Sequence, residues 1–387
     1  MKIVHLCLSA FYVENMGYQE NILPRKHKQQ GHNVTIISTQ YRFDNVQGVY
    51  YVKPGIRNNE DDIPVIILRY KKFLGKVAKF LHLVDGLYNE LDRLAPDIIF
   101  CHGLSFFSIY ELKRYCRKHK TMLFCDCHAD YYNTPTSGFK YKIINGLFWP
   151  LVVKSIIPYV EKAWGTTPAR CEYLKNIYKF PKDKVDLLVM GGDESVIPYE
   201  HRDVLRKDFC KRLSISTDEF IICSGGKINK EKKIIELIRA FNSIRTKNIH
   251  LLLFGSLTKD IETEFYDLIS IDQRISYLGW ADQKIINEVL VLSDLAIFPG
   301  THSVLWEQAI ACGTPVIYRR RQFMTHVDVG GNCIFIEDGE VDSIREALCK
   351  VIFDSTLYNT MKLVTRTKGV ETYSYGNIAR RSINQYN

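Results

Sequence analysis

Residues 298–317 read FPGTHSVLWEQAIACGTPVI. They close the apolar run 295–298, which has the character of a strand buried on both faces and stops at Pro299-Gly300. A short polar turn follows. Val304, Leu305, Ala309 and Ile310 then recur at helical spacing. Gly313-Thr-Pro315 is a helix stop, and 316–318 begins another apolar strand. A helix that opens just past a strand end presents unpaired N–H groups to an anion. Glu307 lies one turn in, where a carboxylate can reach ligand hydroxyls. Backbone for an anion beside a carboxylate for hydroxyls is what a nucleotide sugar needs. The bland alternative is an ordinary strand–helix–strand unit with a solvated Glu307.

The same alternation runs through both flanks. In the second half, strands are expected at 220–223, 250–254 and 275–278, and helices at 234–244, 262–270 and 282–293. In the first half, 2–9, 33–38, 96–101, 121–125, 163–167 and 185–190 read as strands, and 105–118 and 168–178 as helices. A loop and helix across 11–30 open near Gly17, and 69–91 (RYKKFLGKVAKFLHLVDGLYNEL) has one long helical pattern, basic at its start. The polar stretch 194–219 places a domain boundary near Pro198. Strands alternating with helices predict an α/β fold of two doubly wound domains, 1–198 and 199–371.

Composition agrees with that class. A chain of 387 residues is long for one core, and 46% apolar with 25% charged residues is globular. No apolar run approaches a membrane span. Met1-Lys2 leads straight into an apolar strand, and eleven cysteines lack framework spacing, so the expected setting is the reducing cytoplasm. Net charge is +9, with 27 Lys+Arg against 20 Asp+Glu in 1–200 and 25 against 23 in 201–387. The excess lies in the first half, which nominates phosphate-rich ligands, nucleic acid or anionic membrane as partners. Residues 139–164 interleave Lys140, Lys142, Lys154 and Lys162 with Phe148, Trp149, Val152 and Ile156. This pattern suits a membrane interface, or a core helix pair broken at Pro150 with its lysines outward. Basic residues interleaved with acids, and no recognised module, argue against nucleic acid.

Ser224-Gly225-Gly226-Lys227 ends the first strand of the second half, and Lys230, Lys232 and Lys233 crowd the next helix start. Glycines let backbone approach a phosphate. Lysines at a helix N-terminus oppose its dipole unless an anion offsets them. Cys125, Cys127 and His128 have metal-ligand types but no second pair at metal-site spacing.

On these residues the chain resembles the family 4 glycosyltransferases, retaining enzymes with the GT-B fold. GGKINKEKKIIELIRAF is similar to the family's Gly-Arg…Glu-Lys-Gly segment, with Lys227 in the arginine position and Lys232 in that of the lysine. SVLWEQAIACGTPVI resembles its most recognisable motif, with Glu307 matching the ribose-binding glutamate. Gly17, and His128 in CHAD, resemble its glycine loop and His-Asp motif; LLLFGS, with Gly255, resembles a following strand. The closing residues, about 372–387, resemble a helix that packs back on the first domain. The resemblance implies catalytic roles for Lys227, Lys232, Glu307 and His128. It implies donor contacts from Gly17, Gly225, Gly226, Gly255, His302, Ser303, Val304, Leu305 and Glu307. It implies two Rossmann-like domains facing a cleft, an acceptor domain first and a donor domain second. It further implies a nucleotide-sugar donor, a glycan or lipid-linked acceptor, no metal or other cofactor, and peripheral contact with the inner face of an anionic membrane. Two departures stand out. Pro299 occupies the position of the family's first glutamate, with His302 close by, and Lys227 keeps the arginine's charge without its bidentate fork. A nucleotide-sugar epimerase or phosphorylase, or a non-catalytic binding protein, are the alternatives on the same fold.

Overall fold

A computed structural model describes every residue except 10, 11, 15, 45–47, 132–137, 139–141 and 385–387. Lys140, named above in the interfacial pattern, lies outside the described residues. The chain forms two compact units, Met1–Val189 with Ile378–Asn387, and Met190–Asn377. The division falls at Val189 rather than near Pro198.

The first unit holds an eight-stranded sheet. Its order is Val185–Leu187, Val160–Gly165, Met122–Cys127, Ile98–His102, Lys2–Cys7, Asn33–Thr39, Pro64–Leu68 and Gly55–Asn58. All pairs are parallel except the last. The second unit holds six parallel strands in the order Ile275–Tyr277, Ile249–Phe254, Phe220–Gly225, Leu295–Phe298, Val316–Arg319 and Cys333–Ile336. Central strands such as IHLLLF and LAIF are buried throughout, as helices on both faces demand. In each sheet the chain winds outward from a middle strand, then returns to wind the other way. That reversal is a topological switch point, and ligands of such sheets gather at the carboxyl ends of the strands beside it.

Three expectations are corrected. The helical pattern of 69–91 breaks into a short turn at Lys72–Leu74, a helix at Gly75–Phe80 and another at Leu87–Leu94. His82 takes the left-handed conformation (φ 49°), which no continuous helix tolerates. The stretch 194–219 is no plain linker, since it contains the helix Arg202–Leu213, whose Arg202 and Arg206 pair with Asp294 at 3.0 and 2.9 Å. Pro150 does not break its helix. A wide π-type turn, Ile144–Phe148, runs directly into Trp149–Lys154, so the helical path continues through the proline. The chain then passes into a strand, Val160–Gly165, from residues read as helix.

The C-terminal residues return to the first unit. Trp164 Nε1–H donates to the Ser382 carbonyl at 2.8 Å, and Arg381 lies 3.3 Å from Asp186.

Candidate functional site

The expected residues divide between the units, Gly17 and His128 in the first and the others in the second. The second unit's switch point lies between Phe220–Gly225 and Leu295–Phe298. The chain leaves one strand through Gly226 and Lys227, and the other through Pro299, Gly300 and Thr301. The two exits touch. A Cβ on Gly300 would stand 2.3 Å from the Glu231 carbonyl oxygen and 2.4 Å from the Lys232 Cα. Thr301 N–H donates to that same carbonyl at 3.0 Å.

Lys232 is fixed by this contact. Its Nζ donates to the carbonyls of Thr301 (2.7 Å) and His302 (3.0 Å). Both partners are dipoles rather than carboxylates, and burial lowers its pKa to about 8. It lines a small cavity with Ser224, Gly225, Gly300, Thr301 and Ser303. Lys227 is instead exposed. Lys233 is tied to Glu236 at 2.7 Å and Glu340 at 3.3 Å.

The glycines divide in the same way. A Cβ on Gly255 would overlap the Gly226 carbonyl at 1.8 Å, and one on Gly225 would meet the Phe254 carbonyl at 2.3 Å. These two are required by packing between strand ends. A Cβ on Gly226 would meet only Leu305 Cδ1, at 3.0 Å. Gly226 thus faces the start of the helix Leu305–Ala311, whose first backbone bond runs from Trp306 N–H to Ser303 O at 3.0 Å. Ser303, Val304 and Leu305 stand ahead of that bond.

Glu307 is fully buried, not solvated. Its Oε1 accepts from His302 Nε2 at 2.8 Å and His326 Nε2 at 2.9 Å. A carboxylate only accepts, so both imidazoles carry their proton on Nε2. Burial pushes the carboxyl pKa up, but His302 and His326 outweigh it and hold the value at about 2. Glu307 Oε2 and His326 Nδ1 are buried with no partner among the described residues. They are acceptors in want of donors, and vicinal hydroxyls would supply them. His326 was not visible in the sequence as a site residue. It stands in the loop before Cys333–Ile336, and Tyr373 Oη–H holds its carbonyl at 2.8 Å. His302, Glu307 and His326 offer ligand atoms within 4.8 Å of one another, so the trio could also hold a cation. The expected site had no metal.

In the first unit, His128 follows the strand Met122–Cys127, and Gly17 is exposed ahead of the helix Gln19–Gln29. Asp126 organises this site. Its Oδ2 accepts from His102 Nδ1 (2.8 Å) and Gln19 Nε2 (3.1 Å), and lies 3.5 Å from His128 Nε2. Its Oδ1 accepts from Gly103 N–H at 3.0 Å. Burial raises the Asp126 pKa, but His102 and His128 outweigh it and hold the group well below the usual carboxylate range. Burial likewise lowers that of His128, and Asp126 more than restores it. Behind His102 runs a chain of buried imidazoles. His102 Nε2 meets His5 Nδ1 at 3.0 Å, His5 Nε2 meets His27 Nδ1 at 2.9 Å, and His27 Nε2 meets the Ala379 carbonyl at 3.0 Å. Ser382 Oγ also lies 3.1 Å from His27 Nε2, so that nitrogen has a hydroxyl as well as a carbonyl for a partner. Burial keeps His5 well below its usual pKa and His27 at about 4.

Residues 219–354 match the family described as Glycosyl transferases group 1. An uncharacterized glycosyltransferase of Methanocaldococcus jannaschii is 24% identical over 227 residues, which are 56% of this chain and 57% of the relative. The alignment thus spans little more than half of that protein. Among solved structures, sucrose-phosphate synthase of Thermosynechococcus elongatus superposes with a TM-score of 0.65 at 16% identity, covering 98% of this chain and 96% of that one. Anabaena HepE in complex with UDP-glucose gives 0.65 at 14%, covering 99% and 98%. The UDP-GlcNAc 2-epimerase of Neisseria meningitidis bound to UDP-GlcNAc gives 0.63 at 13%, covering 100% and 99%. The fold is GT-B. The group 1 match lies wholly within the second unit and takes in Lys227, Lys232, Glu307 and His326.

Proposed function

We propose that the chain is a retaining glycosyltransferase of family 4 type. It would move a sugar from a nucleotide-diphosphate donor, preferentially a UDP-sugar, to a glycan or lipid-linked acceptor in surface-polysaccharide synthesis. The observation that carries this reading is Lys232, a half-buried cation held by two carbonyls at a switch point, with its pKa lowered to about 8. A cation so placed is unfavourable until an anion arrives. A diphosphate is the anion that the group 1 match and the UDP-bound neighbours recommend.

As the glycosidic bond breaks, negative charge grows on the departing diphosphate. Lys232, already oriented, stabilises that charge more than the ground state, which is what lowers a barrier. Lys227 adds charge from the loop, and the N–H groups of 303–305 complete the cradle. Glu307 Oε2 and His326 Nδ1 accept from the donor's hydroxyls. His128, oriented by Asp126, serves the reacting sugar or the acceptor. Transfer needs no metal in this scheme, because the lysines take the cation's role; activity that vanished in EDTA and returned with a divalent ion would sink that part.

Purified protein titrated with UDP, GDP, ADP and their sugars tests the donor site through its melting temperature, since a ligand bound only to the native state raises stability. A rise with one nucleotide, larger with one of its sugars, supports the reading. No rise with any of them at saturating concentration refutes it. Pro299 in place of a sugar-binding glutamate, together with the epimerase neighbour, favours a second reading in which the donor's sugar is isomerised without an acceptor. Product analysis with donor alone decides between the two.

A further inference from the structure

We propose that His302, Glu307 and His326 form a site for a divalent transition-metal ion of the zinc type, and that the bound ion excludes the nucleotide from the second unit. The three side chains come from separate pieces of chain. His302 stands ahead of the helix Leu305–Ala311, Glu307 lies inside its first turn, and His326 belongs to the loop before Cys333–Ile336. One ligand atom from each lies within 4.8 Å of the other two. Glu307 is fully buried, the His326 side chain is 2% exposed, and that of His302 is 14% exposed. The trio is thus closed on one side and reaches solvent through His302.

Glu307 Oε1 accepts from both imidazoles, at 2.8 and 2.9 Å. Two protons aimed at one carboxylate oxygen mark a place where one divalent ion can stand for both. A tetrahedral zinc with bonds of about 2.0–2.2 Å keeps its ligands about 3.3–3.6 Å apart, so opening the two contacts by about half an ångström reaches that spacing. Two imidazoles and one carboxylate make a three-ligand zinc set, whose fourth position is left to water. Glu307 Oε2, buried with no partner among the described residues, is the acceptor that such a water needs. Imidazole nitrogen also sets the class of metal, since Mg²⁺ and Ca²⁺ prefer oxygen. The ligands are braced from behind, as a precise site requires. Lys232 Nζ donates to the His302 carbonyl at 3.0 Å, and Tyr373 Oη–H to that of His326 at 2.8 Å. The Trp306 ring packs edge-on against the His302 imidazole, with centroids 5.1 Å apart.

A bound ion changes what a nucleotide sugar would meet. A neutral imidazole that coordinates through Nε2 carries its proton on Nδ1. His326 Nδ1 thereby turns from acceptor to donor, and Oε2 is taken up by the metal's water. Both acceptors assigned above to the nucleotide sugar's hydroxyls are lost. An ion held here would therefore inhibit transfer rather than serve it. That exclusion rests on the proposed function; the metal site does not.

The test is equilibrium dialysis of the full chain, free of nucleotide and with its thiols kept reduced, against Zn²⁺, Co²⁺ and Mg²⁺ in turn. About one equivalent of Zn²⁺ or Co²⁺ is expected to bind, and Mg²⁺ is not. Co²⁺ in a nitrogen and oxygen set shows visible absorption without the near-ultraviolet thiolate band that any of the eleven cysteines would bring. Loss of an outer-shell partner alone costs about 10–100-fold in metal affinity, so His302→Ala and His326→Ala, which each remove a ligand, should cost about a hundredfold or more. A cooperative melting transition shows that each variant is folded, and His302→Ala, at the partly exposed edge, decides the matter if the buried change unfolds the chain. Absent binding, Mg²⁺ bound as tightly as Zn²⁺, or binding that His302→Ala retains overturns the proposal. A nucleotide-induced rise in melting temperature that zinc leaves unchanged overturns the exclusion. Zinc held by the trio in a chain that no nucleotide stabilises would leave the site standing and the proposed function refuted.

Discussion

The two units wind their sheets alike and furnish the switch points differently. In the second, the strand ends bring together Gly226, Gly300 and Lys232, with Glu307 and two histidines behind them. In the first, the strand ends open into an aromatic cavity with Ser9 and Ser105, beside a buried carboxylate with three imidazoles in line behind it. One topology thus offers an anion-and-hydroxyl site in the second unit and, in the first, a wider cavity whose aromatic walls also carry Lys79 and His82. The topology says where a ligand goes; the residues at the strand ends say which.

The largest break in that contrast should come from Lys232→Ala. Removing one preorganised charge from a site of developing anion typically costs roughly a hundredfold to a thousandfold in turnover. The comparison to make is kcat for acceptor-dependent transfer, and a loss of only a few-fold would remove Lys232 from the chemistry. Gly300→Ala comes next. Its Cβ would enter backbone rather than a flexible side chain, and overpacking of this kind costs about 1–3 kcal/mol. Melting temperature and nucleotide affinity should fall together, because the contact that it breaks also positions Lys232.

Glu307→Gln should weaken donor binding about tenfold, since bonds to an ionised acceptor are about twice as strong as neutral ones. It also carries a pH signature. The wild-type carboxyl is held at about 2, so its stabilisation is complete above the unfolded value near 4.5 and is lost as pH falls from there through 2. Acid-unfolding curves of the glutamine variant should lack that component. Lys232 gives the opposite window. Its folded pKa of about 8 lies below the unfolded 10.5, so between them the unfolded chain holds more protons and stability rises with pH. A bound diphosphate favours the charged lysine and draws its pKa back up. Donor binding should therefore take up a proton between about pH 8 and 10, and weaken as pH rises there. Calorimetry in two buffers of different ionisation heat reads the proton count, and a count of zero would contradict the placement of Lys232 against the phosphates.

Much of this was legible in the letters. Continuous apolar runs announced the strands, and Lys232, His302 and Glu307 stood at strand ends where their types made sense. What escaped depends on contacts between distant residues. His326 sits in a loop without periodicity, and only folding brings it to within 2.9 Å of Glu307. His5, His27 and His102 each look solitary in sequence; the parallel pairing of Lys2–Cys7 with Ile98–His102 makes neighbours of two of them. The pattern of 69–91 kept its helical period straight through His82, whose positive φ no pattern of apolar residues reports. The helix Arg202–Leu213 is charged on all sides and buries only Phe209 and Cys210, so no apolar stripe betrayed it.

The smallest effect is the one that sequence and structure rank differently. Lys227 and Lys232 looked equivalent as letters, two cations in one glycine-flanked segment. In the fold Lys232 is half-buried and held by two carbonyls, whereas Lys227 is exposed on its loop. An exposed charge acts through high dielectric and is screened by salt, with a Debye length of about 8 Å at physiological ionic strength. Lys227→Ala should therefore cost no more than about fivefold in transfer at low salt, within the modest range of exposed charge pairs, and less as salt is added. The Lys232→Ala deficit should hardly move with salt, because burial shields it from counterions. Turnover of both variants across a salt series settles the ranking. Two deficits of equal size, both fading with salt, would show that Lys232 meets its anion from solvent and that its contacts with Thr301 and His302 do not position it for catalysis.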